Sequence, residues 1–194
     1  MLKKLLRQSQ ILKINNKIEY CKLCEISKEH YRGIGYGNIY SKIMFVAINP
    51  GFIIKKLQTK DVSPFGLWTE SEKNAKHSGI FFRKFLKKLN MTKEDFYITN
   101  LVKCPTYKNR PVFLNEIQNC NRYLEQEIQL MKPKLVVALG QSAAASFNIP
   151  IHNKVIIKNA VYYISIWHPA YILRNNFLFD KWLNNFKEAI KKID

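Results

Sequence analysis

The chain has 194 residues, of which 47% are hydrophobic and 13% aromatic, and this composition excludes a disordered or fibrous protein. Its 32 basic against 14 acidic residues give a net charge of +18, which favours a polyanionic partner such as nucleic acid. No apolar run is long enough to span a bilayer, and the first residues lack the features of a signal peptide. We therefore expect one intracellular domain over residues 1–194, which acts as a monomer.

The first predicted element is a basic amphipathic helix over residues 1–19. Its apolar side is predicted to contain Leu2, Leu5, Leu6 and Ile11. Packing of that side on the rest of the domain is favoured over binding to a membrane. We therefore expect no membrane partner.

Four cysteines occur, at Cys21, Cys24, Cys104 and Cys120. In a reducing cytosol they are not expected to form disulfides. A Cys-x-x-Cys pair with two distant cysteines supplies four soft ligands, enough for an iron–sulfur cluster or a tetrahedral zinc. The alternative is a redox pair formed by the first two cysteines alone.

The stretch at residues 42–51 begins as a continuous apolar run, which is typical of a strand buried on both faces of a parallel sheet. It then stops at Asn49, Pro50 and Gly51. Proline lacks the N–H that a central strand needs, and glycine permits a sharp change of direction. The strand therefore places Asn49 at its carboxyl end, where open α/β sheets bind ligands. An ordinary strand-end turn is the alternative interpretation.

Three further strands and several helices are predicted downstream. Strands are expected at residues 96–99, 134–139 and 161–166, and the main helices at 80–89, 114–131 and 179–193. The helix at 114–131 turns Cys120 inward. A short helix begins at Gln141 and Ser142, and its N-terminus suits a phosphate.

This alternation of strands and helices predicts an α/β fold, a three-layer α/β/α sandwich around a central four-stranded, mostly parallel sheet. A polar residue or a glycine follows each predicted strand. These residues are Asn49, Asn100, Gly140 and His168. Because the carboxyl ends of parallel strands share one edge, the four are predicted to converge on one site.

The ordered set of motifs resembles the family 4 uracil-DNA glycosylases, the iron–sulfur members of the uracil-DNA glycosylase superfamily, from Cys21 to Arg174. The motifs that carry the resemblance are Cys-x-x-Cys at 21–24, Gly-x-Gly-Asn at 35–38, Met-Phe-Val at 44–46, Pro-Phe at 64–65, Tyr-Ile-Thr-Asn-Leu-Val-Lys-Cys at 97–104, Asn-Arg-x-Pro at 109–112, Cys120, Pro-Lys at 133–134, Ala-Leu-Gly at 138–140 and His-Pro-Ala-Tyr-Ile-Leu-Arg at 168–174.

 One of these motifs is matched only approximately. The family pattern is Asn-Arg-x-Pro, but in this chain Pro111 directly follows Arg110, one position earlier than in the family pattern.

The resemblance implies a structural four-iron, four-sulfur cluster on the four cysteines, with zinc remaining possible from spacing alone. It also implies hydrolysis of the bond between uracil and deoxyribose in DNA, after the base has been flipped into a pocket. The residues implied to bind the base are Ala47, Ile48, Gly51, Phe65 and Asn100. Phe65 would stack on uracil, and the Asn100 amide would pair with its N3–H and O4.

The resemblance assigns catalysis and DNA contacts to the remaining motifs. His168 would stabilise the departing uracil anion. Leu173, with neighbouring Ile172, would fill the gap left by the flipped base. The residues implied to contact DNA are Arg110, Gly140, Gln141, Ser142, Leu173 and Arg174, and the high positive charge fits phosphate contacts.

The first motif departs from family 4, which usually carries an acidic residue where this chain has Ile48. Asn49 stands where the mismatch-specific and single-strand-selective glycosylase families carry a catalytic asparagine. An amide is a poor general base, so Asn49 is expected to position the attacking water through its oxygen. The stretch after Gly51 lacks the acidic residues that often guard against thymine, which leaves the exclusion of thymine open.

Two alternatives to uracil excision remain at this stage. One is a glycosylase of the same fold that acts on hypoxanthine, mismatched thymine or another damaged base. The other is a non-catalytic or covalent reader of uracil-containing DNA. The covalent relatives carry an inserted basic loop after the segment that ends here at Lys103, and this chain has no such insertion.

Overall fold

The computed structural model describes residues 2–27, 32–51, 77–151 and 154–193. Its centre is a six-stranded sheet with the order β1-β3-β2-β4-β6-β5. The strands are β1 (Tyr36–Gly37), β2 (Ile43–Ala47), β3 (Tyr97–Asn100), β4 (Leu135–Leu139), β5 (Ile156–Lys158) and β6 (Val161–Ile166). The four central strands run parallel, and the two edge strands are antiparallel to their neighbours.

The predicted α/β fold is confirmed, and its four predicted strands form the parallel centre of the sheet. The prediction of four strands was wrong at the edges, where β1 and β5 add one strand each. They were missed because they are only two and three residues long and are only partly buried. Such short edge strands carry no apolar alternation from which a sequence pattern can identify them.

Helices cover both faces of the sheet. They are α1 (Leu2–Glu19), α2 (His77–Lys88), α3 (Leu114–Met131), α4 (Gln141–Ser146), α5 (Pro169–Arg174) and α6 (Phe179–Ile190). None of the helices in these described ranges is long and apolar enough to cross a bilayer.

Alternate side chains of β2 point to opposite faces and explain the layers. Phe45 packs among aromatic side chains of α2 and α6, with its ring 5.2 Å from that of Phe82. Met44 packs against Leu124 and Met131 of α3 on the other face. Every residue of β2 is buried, as the continuous apolar run predicts.

The apolar side predicted for α1 was right for Ile11 and wrong for its three leucines. Its buried residues are Ile11, Ile14 and Ile18, whereas Leu2 is 72% exposed and Leu5 and Leu6 are each 54% exposed. The three isoleucines share a face at a spacing of three and four residues. Leu2 lies about two and a half turns before Ile11 and therefore points to the opposite side of the helix.

Candidate active site

The carboxyl ends of the central strands form one level edge of the sheet. Ala47 at the end of β2 is in register with Asn100 at the end of β3. The Leu101 N–H donates to the Ala47 carbonyl at 2.9 Å, and the Gly140 N–H donates to the Ile166 carbonyl at 2.8 Å. The chain leaves β2 for β3 on one side and returns to β4 on the other, which makes this edge the switch point where open α/β sheets bind ligands.

A cavity of about 460 Å³ opens at this edge. The sequence-predicted site residues that line it are Ile48, Asn49, Gly51, Gly140, Gln141, Ser142, His168 and Arg174. Ala47 is buried beneath the edge, and Phe65 lies outside the described residues. Sequence reasoning missed Ser78 and Asn109, which also line the cavity, because neither follows a predicted strand.

A larger cavity of about 640 Å³ lies between α1 and α3, away from the strand ends. Its lining is rich in lysine and glutamine and includes Lys13, Lys17 and Lys132. Among the described residues, no group of three histidine, cysteine, aspartate or glutamate side chains is placed to hold a metal ion there or elsewhere. We place the candidate active site in the smaller cavity, because only that one combines polar side chains with the carboxyl edge.

The Asn49 side chain is oriented by two hydrogen bonds. Its Nδ2 donates to the Pro50 carbonyl at 3.1 Å and to Thr106 Oγ1 at 3.3 Å. Both acceptors are used by the amide nitrogen, so the amide oxygen is the half of the group that remains to accept from a molecule in the cavity. This orientation suits a side chain that accepts a hydrogen bond from water.

His168 precedes α5 and caps its N-terminus. Its Nδ1 accepts a hydrogen bond from the Ala170 N–H at 3.1 Å. Burial, with a smaller contribution from the Arg174 charge, lowers the pKa of His168 from its ordinary 6.5 to about 4. The imidazole is therefore neutral at neutral pH, and because Nδ1 accepts, its proton is on Nε2.

Gly140 allows β4 to end close to His168. Its φ of +92° lies in the region that side-chain-bearing residues rarely adopt, and a Cβ there would stand 3.1 Å from the His168 Cβ. A side chain at this position would push His168 out of place. Gln141 and Ser142, which follow, are exposed at the start of α4, a helix of only six residues.

Asn100 is 1% exposed and does not line the cavity directly. Its Nδ2 has no hydrogen-bond partner among the described residues. A Cβ added to Gly33 would lie 3.6 Å from this nitrogen, so the amide lies against the backbone there. Leaving a buried donor unsatisfied costs about 1–3 kcal/mol, a cost that a ligand acceptor at this point would offset.

The four cysteines gather at the same end of the molecule. Cys104 and Cys120 are buried, Cys21 and Cys24 are partly buried, and none is in a disulfide. Burial, strengthened by the other three thiols, raises the pKa of Cys104 to about 12. The Asn119 amide donates to Cys24 Sγ at 3.4 Å, and the Lys103 N–H donates to Cys120 Sγ at 3.5 Å. Four thiols with N–H donors at two of the sulfurs have the chemistry of an iron–sulfur ligand set, but the described side chains are not placed as a closed group around one metal ion.

Comparisons with known proteins decide the family. The family model described as "Uracil DNA glycosylase superfamily" matches residues 34–193. The chain belongs to the uracil-DNA glycosylase superfamily.

Two curated type-4 relatives match most of the chain, and a type-5 relative matches a shorter part of it. A type-4 uracil-DNA glycosylase of Archaeoglobus fulgidus is 26% identical over 90% of this chain and 89% of its own length. A type-4 uracil-DNA glycosylase of Thermotoga maritima is 26% identical over 84% of this chain and 82% of its own length. A type-5 uracil-DNA glycosylase of Pyrobaculum aerophilum is 34% identical over 38% of this chain and 36% of its own length.

The structure places the residues predicted to contact DNA in different environments. Arg174 and Leu173 are exposed at the end of α5, and Arg174 also lines the cavity. Ile172 is fully buried in the core, so the structure excludes it from the predicted wedge. The Arg110 guanidinium is bound to the Glu116 carboxylate at 2.6 Å, and a phosphate would compete with that pair.

A buried ion pair connects the loop after β3 to α3. Lys103 Nζ lies 2.7 Å from Glu127 and donates to Thr99 at 2.8 Å. Thr99 and Tyr97 both donate to the Glu127 carboxylate. Burial and Glu127 raise the pKa of Tyr97 well above its usual value, so its hydroxyl stays protonated as a donor. The network fixes the strand that carries Asn100 and the loop that carries Cys104.

Proposed function

We propose that the protein is a monofunctional DNA glycosylase that excises uracil from DNA and leaves an abasic site. The observation that carries the proposal is the cavity at the carboxyl edge, which brings an oriented Asn49 amide and a neutral His168 together. The type-4 relatives are named for uracil, which supports it as the base. Among the described residues, no lysine lines this cavity, which favours water over a lysine as the nucleophile.

The base binds to the protein after it has left the DNA duplex. The target nucleotide is flipped out of the stack, and the net charge of +18 attracts the DNA backbone. We assign uracil O4 to the buried Asn100 Nδ2, which has no protein partner among the described residues; since Asn100 does not line the observed cavity, this contact requires the base to enter more deeply than that cavity extends. The proposed pairing therefore satisfies a donor that the free protein leaves buried and unbonded.

The chemical step breaks the bond between C1′ and uracil N1, and the electron pair leaves with the base. The His168 Nε2–H donates to uracil O2, where negative charge accumulates. Asn49 Oδ1 accepts a hydrogen bond from the water that attacks C1′. As the new C–O bond forms, the uracil anion takes the proton that the water loses, since an amide cannot hold it.

We further propose that the four cysteines bind a four-iron, four-sulfur cluster. Cys21 and Cys24 come from the segment after α1, Cys104 from the loop after β3 and Cys120 from α3. When bound, the cluster supplies cross-linking and no step of the hydrolysis. It would tie the N-terminal segment to the loop that continues from Asn100.

Protein purified without oxygen is expected to be brown and to hold about four irons and four sulfides per chain. Cys104→Ala is expected to lose the visible absorbance and to unfold at a lower temperature, because a ligand and a cross-link are both lost. Elemental analysis and visible spectra measure this. A colourless protein with one zinc per chain would overturn the cluster in favour of zinc.

The activity itself is tested by base release from DNA strands that carry one uracil, hypoxanthine or mismatched thymine. Uracil is expected to be released, and Asn49→Ala is expected to lower its single-turnover rate about 10²-fold with DNA affinity unchanged, because the water loses its orientation. Asn121→Ala serves as the control, since the Asn121 amide donates to the Glu125 carboxylate on an exposed part of α3, away from the cavity. Release of another base but not of uracil would show that the substrate is that other base. Tight DNA binding with no base released would contradict the glycosylase proposal and favour a protein that only binds uracil-containing DNA.

A further inference from the structure

Thr106 lies directly behind Asn49 and carries a fully buried hydroxyl. This hydroxyl donates to the Arg110 carbonyl at 2.6 Å and accepts from Asn49 Nδ2 at 3.3 Å. A carbonyl oxygen can only accept, so the single hydroxyl proton is committed to Arg110. The hydroxyl oxygen is then left as an acceptor towards Asn49, which gives the chain of hydrogen bonds a fixed direction.

This direction decides which way the Asn49 amide faces. In the observed orientation the amide nitrogen meets two acceptors, the Pro50 carbonyl and the Thr106 oxygen. If the amide turned over, its oxygen would meet the same two acceptors, and both hydrogen bonds would become repulsions. The two acceptors therefore hold the Asn49 amide in the orientation in which Oδ1 is turned away from both of them.

The Thr106 hydroxyl is itself held in place by its surroundings. A turn follows it, in which the Asn109 N–H donates to the Thr106 carbonyl at 3.0 Å. Arg110 at the end of the turn binds Glu116 of α3 through two hydrogen bonds, at 2.6 and 3.1 Å. A continuous series of bonds thus runs from α3 through Glu116, Arg110 and Thr106 to Asn49.

We propose that Thr106 is a positioning residue that holds the Asn49 amide oxygen towards the attacking water. The inference rests on the proposed function, because it assigns a role in that same hydrolysis. It also gives Arg110 a task inside the protein, as the anchor of Thr106. Nothing in the first motif itself identifies this partner, because Thr106 is distant from Asn49 in the sequence.

The kinetic test compares Thr106→Val, which removes the hydroxyl but keeps the shape, with Thr106→Ser, which keeps the hydroxyl. The single-turnover rate of uracil release is expected to fall about five- to tenfold in the valine variant and to stay near wild type in the serine variant. DNA affinity is expected to be unchanged in both. In the Asn49→Ala background, Thr106→Val is expected to have no further effect, since the group it positions is gone.

A second measurement does not depend on activity. The ¹⁵N–¹H signals of the Asn49 side-chain amide, assigned by their loss in Asn49→Ala, are expected to exchange slowly with water in wild type and in Thr106→Ser. In Thr106→Val and Thr106→Ala they are expected to shift and exchange faster, because one acceptor is lost. Two hydroxyl-free variants are included so that the test survives if one of them does not fold.

The outcomes separate the two proposals. If wild-type protein releases no base, the proposed function fails, and the amide signals still report whether Thr106 orients Asn49. The positioning role is overturned if these signals are the same in wild type and the hydroxyl-free variants. It is also overturned if Thr106→Val slows base release equally with and without the Asn49 side chain.

Discussion

Uracil release by His168→Ala is expected to be about 10²–10³-fold slower than by wild type in single-turnover experiments, with DNA binding little changed. The alanine removes the neutral donor that, in the proposed mechanism, faces the charge developing on the departing base. It also removes the Nδ1 acceptor that binds the Ala170 N–H at the start of α5. Circular dichroism and thermal unfolding then show whether a loss of activity comes from the chemistry or from the fold.

His168→Gln is the matched variant, because a side-chain amide retains an N–H donor. It is expected to recover part of the lost rate. A glutamine variant as slow as the alanine variant would show that donation alone is not what His168 contributes. Equal rates in wild type and His168→Ala would contradict the proposed role.

The lowered pKa of His168 predicts how the rate and the folding stability depend on pH. The pKa of His168 is lowered to about 4, so titration of His168 should not change the wild-type rate of uracil release near pH 6.5. The pH profiles of wild type and His168→Gln should therefore have the same shape in that range. The folded-state pKa lies below the unfolded value, so between these two values the unfolded chain binds more protons. Folding stability due to His168 should therefore fall as pH decreases from about 6.5 to about 4.

Lys103→Met is expected to destabilise the protein by about 3–5 kcal/mol, because it leaves the Glu127 carboxylate buried without its cation. Both side chains are almost completely buried, and their charged atoms lie 2.7 Å apart. Tyr97 and Thr99 would still donate to Glu127, but they carry no positive charge. Urea unfolding of the purified variants measures the change, with visible absorbance as a check on the cysteine site.

Two controls distinguish the buried pair from charge in general. Combining Lys103→Met with Glu127→Leu is expected to restore most of the stability, because apolar side chains often replace a buried pair at little cost. Lys191→Met breaks a surface pair with Glu188 of the same 2.7 Å length and is expected to have no measurable effect. A Lys103→Met protein as stable as wild type would show that the buried pair makes no net contribution to stability and would contradict this prediction.

The parallel centre of the fold and part of the site were predictable from the sequence. The apolar run of β2 is buried at every position, and β6 and α3 have the predicted bounds. Asn49 and His168 were placed near each other because parallel strands end at the same edge. The cavity that both residues line follows from that topology and not from any local motif.

Features that depend on tertiary contacts were not predictable in the same way. The hydroxyl partner of Asn49 comes from a loop distant in sequence, and no pattern within the first motif specifies it. The ion pair of Arg110 with Glu116 requires the start of α3 to pack beside the turn that precedes it. Ile172 and Leu173 are neighbours in sequence, yet only the helical rotation of α5 decides which is buried.

The central position of β2 has a consequence for folding. Its partners are far away in the chain, since Met44 pairs with Tyr97 on one side and with Val136 on the other. Such non-local pairings form late, because a long loop must close before each of them contributes. During synthesis, Asn49 leaves the ribosome well before β4 and His168, so a nascent chain cannot assemble the site. The cavity can therefore form only after the chain has been synthesised at least as far as His168 and Arg174.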